Sequence, residues 1–197
     1  SIYFTYSCRQ RLYSWVMSEF EYLAVFISII FGISVTHILS GVIRSIYRGE
    51  KDQTHNVLTA FFFLVLILNW WVGFSWVDQE VWSFDKFLII VIWAVSHYIA
   101  AITLYPPLSA GVEHPFEFRR NWFLWAFSAA AVLDILQTAA RGALFMPWYY
   151  LPFVLHYLVV ALLATFVNKA GLHRWVAWYL LLVTASWSFL VRRFLVD

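Results

Sequence analysis

The stretch Ala131–Gly142, AVLDILQTAARG, places Asp134, Gln137, Thr138 and Arg141 at spacings of three, four and seven residues. Those spacings put all four polar groups on one face of an α-helix. The surrounding sequence is apolar, and an ionised carboxylate near the centre of a membrane helix costs about 2.5–3.5 kcal/mol on insertion scales. Such a residue turns toward protein or enclosed water rather than lipid. Three kinds of chemistry fit the stripe. It can be a structural seam, with Asp134 protonated or bonded to a neighbouring helix. It can line a path for an ion, a proton or a small solute, or it can hold a ligand. His37, with Ser40 and Arg44 on its face of an earlier apolar segment, suits the seam or the path. Asn69, directly before Trp70-Trp71, reads as an amide buried between helices.

Histidines offer a different chemistry. His97 and His156 each fall about ten residues into apolar segments that run in the same direction, so the sequence predicts similar membrane depths for them. Two facing imidazoles there would suit the axial positions of a b-type haem, and histidine also ligates other metals or a chlorophyll-type magnesium. The bland alternative is a pair of hydrogen-bonded packing residues. His55, His114 and His173 fall in predicted loops and read as solvated. Cys8 is the only cysteine, which leaves no internal disulfide and no Cys-rich metal site. HExxH, GxSxG and P-loop motifs are absent, as is the multi-histidine array of membrane di-iron enzymes. One unassisted aspartate lacks the positioned partner that general acid–base catalysis usually needs, so the expectation is a non-enzymatic protein.

The elements that must position these groups follow from composition. Hydrophobic residues make up 63% of the 197-residue chain, aromatics 21% and charged residues 12%, with a mean hydropathy of +0.74. A water-soluble domain carries about twice that charged fraction, so lipid is the expected solvent. The net charge of +2 is scattered and gives no nucleic-acid signature. Crossing about 30 Å of hydrocarbon takes roughly 20 apolar residues at about 1.5 Å each. Six stretches qualify, approximately 22–43, 57–77, 87–105, 122–140, 148–167 and 175–191. The predicted fold is therefore all-α, a polytopic transmembrane bundle with six membrane-spanning helices. Residues 17–197 form its single domain. Residues 1–16 lack a signal-peptide pattern and read as an N-terminal extension before Met17-Ser18-Glu19.

With six crossings, Arg44, Arg48, Lys51, Arg119, Arg120, Lys169 and Arg174 share one side. Arg9, Arg11, Lys86, Arg141, Arg192 and Arg193 share the other. Without the extension the first side holds the excess, which places both termini outside the cytoplasm. Tryptophans 70, 71, 76, 82, 148, 175 and 178 read as belt residues at headgroup depth. Gly32, Thr36 and Ser40, and Ser128 to Ala131, are small residues expected to mark buried helix seams. Pro147 and Pro152 are placed in the first turns of the fifth helix. Histidines centred in Thr36-His37-Ile38, Ser96-His97-Tyr98 and Leu155-His156-Tyr157 recur once per odd-numbered helix, without convincing repetition around them.

The first segment, with Glu21-Tyr22-Leu23, Ser28-Ile29-Ile30, Gly32, Thr36, Leu39, Gly41 and Arg44, followed by Trp70-Trp71, resembles a family of uncharacterised bacterial six-helix integral membrane proteins of about this size. The resemblance covers most of the chain from Met17 and implies a bacterial inner-membrane location, but no activity. Six-helix bacterial potassium channels are not matched, since Phe31-Gly32-Ile33 stands where their Phe-Ser-Asp signature would fall. The leading functional expectation is a polar intramembrane path. The alternatives are an accessory or assembly subunit of a larger membrane complex, or a homo-oligomer, and a haem- or pigment-binding protein. Expected partners otherwise are membrane lipids.

Overall fold

The structure, a computed structural model, describes residues 17–49, 51–106, 116–167 and 169–191. Among them there are six helices and no strands. Helix α1 is Glu19–Arg48, α2 Gln53–Val72, α3 Phe84–Leu104, α4 Phe116–Ala140, α5 Tyr150–Phe166 and α6 Ala170–Ser186. A 3-10 turn, Gly73–Trp76, extends α2, and a π turn, Trp187–Val191, extends α6.

Local signals explain these boundaries. Ser18 opens α1 with a reciprocal capping box: Glu21 N–H donates to Ser18 Oγ at 3.2 Å, and Ser18 N–H donates to the Glu21 carboxylate at 2.7 Å. Gly49 closes the same helix at φ +68°. Asp52 caps α2 by accepting from His55 N–H at 3.1 Å. At the end of α4, Gly142 N–H bonds the Ala139 carbonyl and Ala143 N–H the Thr138 carbonyl, with Gly142 at φ +81°. That is a Schellman motif, whose left-handed position favours glycine.

Four helices, α1, α2 with its 3-10 turn, α3 and α4 from Arg119, are long and apolar enough to cross a membrane. This corrects the expectation of six such segments. Helix α5 has 17 residues, because 147–149 form turns and the helix starts at Tyr150 rather than Trp148. Helix α6 also has 17 residues before its π turn, and it starts at Ala170, five residues ahead of the expected Trp175.

Neighbouring helices follow the order α1, α3, α4, α5, α6, α2 and back to α1, with α3 against α4 the most extensive pairing. Contacts fix the directions. Phe26 meets Phe87 and Phe31 meets Trp93, so α1 and α3 run parallel. Arg119 at the start of α4 reaches the Leu104 carbonyl, and Tyr157 of α5 reaches Thr184 of α6, so those neighbours are antiparallel. One end of the bundle thus gathers the C-terminal ends of α2, α4 and α6. The other gathers those of α1, α3 and α5.

Phenylalanines fill the centre. Phe61 meets Phe127 edge-on at 5.2 Å, and Phe62 meets Phe123 edge-on at 5.4 Å, joining α2 to α4 across the bundle. Phe61, Phe62 and Phe123 are fully buried. On α1 the buried face is Leu23, Phe31, Ser34, Ile38, Gly41 and Ser45. Gly32, Thr36 and Ser40 are exposed, the reverse of the expected seam, since Phe31 and Ile38 turn inward and that stripe lies on the opposite face. At Gly41 α1 packs directly on the residue that caps α3: a Cβ there would overlap the Tyr105 ring. On α4 the expectation fits better, with Ser128, Ala130 and Ala131 buried.

Candidate functional site

Two polar clusters occupy opposite ends of the bundle. The first is built on Asp134, six residues before the end of α4 and so about 9 Å inside it, midway between the helix centre and its end. Tyr150, the first residue of α5, donates its hydroxyl to Asp134 Oδ2 at 2.7 Å, and the Tyr150 hydroxyl oxygen lies 2.9 Å from Thr138 Oγ1. Gln137 donates from Nε2 to Asp134 Oδ1 at 3.1 Å and to Thr138 Oγ1 at 2.9 Å. Its Oε1 accepts from the Trp76 indole N–H at 2.9 Å. Arg141 lies with its guanidinium 6.0 Å from the Trp76 ring centroid. The stripe seen in the sequence is therefore one network, closed by Trp76 from the α2 extension and Tyr150 from α5.

Asn69 does not join that network directly. It donates from Nδ2 to His97 Nε2 at 2.7 Å, while His97 Nδ1 lies 2.8 Å from the Trp93 carbonyl. A carbonyl can only accept, so His97 carries its proton on Nδ1 and accepts at Nε2, a neutral tautomer with both nitrogens bonded. Phe62 stacks on the His97 ring at 6.3 Å, and Phe31 packs against it at 5.6 Å.

His37 belongs to the opposite end. The backbone carbonyls that end α3 have no partners within the helix, and side chains supply them: His37 Nε2 lies 2.6 Å from the Tyr105 carbonyl, His55 Nε2 lies 3.2 Å from that of Leu104, and Arg119 Nη1 donates to the latter at 3.2 Å. Donors at a helix C-terminus also meet the negative end of its dipole. His55 packs on the Tyr105 ring at 4.7 Å, and the Tyr105 hydroxyl lies 3.1 Å from Thr59 Oγ1.

His55 and His173 are buried at 2% and 3% exposure, which corrects their reading as solvated loop residues. Both lie in first turns of helices that begin before the apolar segments do. His114 lies outside the described residues. Trp76, read as a belt residue, is buried against Trp82 at 5.6 Å, while Trp70 and Trp71 are exposed.

The structure does not bring His97 and His156 together. They lie on α3 and α5, which α4 separates around the bundle, and their rings pack against different residues. His156 is enclosed by Phe153, Tyr157 and Tyr179, with Nδ1 at 2.6 Å from its own helix's Phe153 carbonyl. Among the described residues no group of three His, Cys, Asp or Glu side chains is placed to hold a metal.

A small cleft of about 50 Å³ opens at the Asp134 end between α1, α2 and α3. Leu23, Ala24, Phe74 and Trp93 give it apolar walls, and Asn69 and Ser28 supply polar atoms. Trp76, which also lines it, ties the cleft to the Asp134 network.

Sequence reasoning missed Trp76, Tyr150, Tyr105 and Thr59. Nothing in single-segment patterning marks them, because each acts on a residue from another helix. Comparison with protein-family models, with curated proteins and with solved structures finds no match.

Proposed function

We propose that this chain is an integral membrane protein whose inward polar groups form a proton path entered at the Asp134 end. The observation that carries the reading is Asp134 itself, a carboxylate inside an apolar helix, held by Tyr150 and Gln137. Ionisable residues within membrane helices usually mark ion or proton routes. His97 with Asn69 forms the next station inward, and Thr59, Tyr105, His55 and His37 form the station at the far end.

Packing favours a proton over a larger ion or solute. Phe31 and Phe62 pack against the His97 ring, an apolar lining that offers a hydrated ion no polar partners. A proton needs only imidazole and hydroxyl groups with a water between them. In this reading α5, at the lower limit of spanning length, and α6 with its π turn complete six crossings. The His55 end faces the cytoplasm, since it carries Arg44, Arg48, Lys51, Arg119, Arg120, Lys169 and Arg174, against Lys86 and Arg141 at the Asp134 end among the described residues. A bacterial inner membrane is the setting that the family resemblance implies.

Flux tests the proposal. Proteoliposomes carrying an internal pH dye and a valinomycin-imposed potassium potential are expected to take up protons faster than empty vesicles. Asp134→Asn, which keeps the shape but not the titratable group, is expected to lower the rate at least about tenfold with unchanged helical circular dichroism. Flux equal to that of empty vesicles, or identical in Asp134→Asn, would refute it.

A further inference from the structure

We infer that the cleft between α1, α2 and α3 is a water-binding site, the wet entrance to the His97 station. Its volume of about 50 Å³ exceeds the roughly 10–15 Å³ that one water requires, and falls well short of the roughly 300–1,000 Å³ of small-molecule ligand sites. Size alone selects water. On α1 the lining residues run from Phe20, the second residue of the helix, to Ser28, about 12 Å further along. The cleft therefore leads from the helix end, at headgroup depth, to Asn69 and Trp93.

The polar atoms around it call for a partner that both donates and accepts. Trp93 Nε1 is buried, and no acceptor among the described residues takes its proton. A buried donor of this kind normally bonds protein or ordered water. Asn69 adds an acceptor. His97 Nε2 can only accept, so it takes one Nδ2 proton and fixes the orientation of the amide. Oδ1 and the second Nδ2 hydrogen then remain, with no protein partner among the described residues. Ser28 Oγ accepts from the Trp70 indole at 3.1 Å and keeps its own proton to give. The Trp76 indole is already committed to Gln137. Donors from α1, α2 and α3 and one acceptor thus border a single small space, and a bound water typically meets two to four such partners. An acyl chain would leave the Trp93 N–H without an acceptor. An anion would meet Asn69 Oδ1, with no Lys or Arg among the lining residues to offset its desolvation.

The site stands without proton flux, whereas its role as an entrance rests on the path proposed above, so the two are read separately. Full-length protein in phospholipid nanodiscs is labelled with nitrogen-15 at the indoles of its twelve tryptophans, and the Trp93 signal is identified by its loss in Trp93→Phe. Its indole proton is expected to give laboratory-frame and rotating-frame Overhauser cross peaks to water that are opposite in sign, the signature of contact with a bound water rather than of proton exchange. Cross peaks to acyl-chain protons instead, or none to water, would overturn the site. Ala24→Leu, which fills the cleft and touches no hydrogen-bonding group, is expected to abolish the water peaks and to slow proton uptake in the pH-dye assay. Water peaks that persist in Ala24→Leu would place the water elsewhere and overturn the site. Peaks lost while flux stays at the wild-type rate would overturn the entrance role. Water peaks in a wild-type protein that moves no protons would refute the path, and the entrance role with it, but support the site. Should Ala24→Leu fail to fold, Ser28→Val narrows the same cleft and gives both readouts.

Discussion

Gly41→Val is expected to destabilise the bundle by about 3 kcal/mol, at the upper end of the usual cost of overpacking. The magnitude follows from how little Tyr105 can move. Its ring occupies the space a Cβ at position 41 would need, and it packs on His55 at 4.7 Å. Its hydroxyl is 3.1 Å from Thr59, and its carbonyl is 2.6 Å from His37 Nε2. A ring held from α2, on a backbone whose carbonyl is held from α1, resists swinging aside, so α1 must separate from α3 and break the His37 contact. Denaturation of the purified protein in mixed micelles, followed by circular dichroism, measures the loss. Gly32→Val, on the exposed face where a Cβ meets nothing within 4 Å, serves as the control and is expected to change little. Equal stabilities for the two variants would contradict the close approach of α1 and α3.

Phe62→Ala is expected to cost a similar amount and to raise proton flux at the same time. Truncating a buried phenylalanine typically costs about 3–5 kcal/mol. In lipid the transfer part of that cost shrinks, because acyl chains are as apolar as the protein interior, but the lost dispersion contacts and the void remain, which points to about 3 kcal/mol. The void would lie between Phe123 and His97, the two rings that Phe62 touches. With Phe62 gone, the His97 ring can turn out of its bonds to Asn69 and the Trp93 carbonyl, and the polar groups so freed give an entering water its partners. The same micelle denaturation and the pH-dye assay read both effects. A destabilised variant with unchanged flux would indicate that His97 is a packing residue, and an undisturbed stability would contradict the aromatic centre.

Some of this was legible in the residues, for stated physical reasons. Helical spacing alone aligns Asp134, Gln137 and Thr138, because their geometry depends only on α4. That Asn69 would face another helix follows from an amide in an apolar run, but its partner, His97, lies on a different segment. Tyr150 and Trp76 were hidden among aromatic clusters at helix ends, where a belt residue and a buried donor have the same local sequence. The stripe Gly32, Thr36, Ser40 misleads because small residues permit close approach without requiring it. The larger Phe31 and Ile38 decide which face of α1 turns inward. His55 was misplaced since hydropathy marks where the apolar run starts, whereas the Asp52 cap starts the helix earlier. Span number suffered from the same limit: hydropathy windows ignore the turns at 147–149 that shorten α5.

The most direct test of inward-facing polar groups in a lipid-bound bundle is side-specific labelling of position 134. In the Asp134→Cys, Cys8→Ser double variant, reconstituted into sealed vesicles, a membrane-impermeant cationic thiol reagent is expected to react from the side of the 147–150 turn. Tyr150→Phe, which removes the hydroxyl that faces that position, is expected to change the rate. Reaction only with a lipid-soluble maleimide, at a rate indifferent to Tyr150, would place the side chain against acyl chains and contradict the inward polar network.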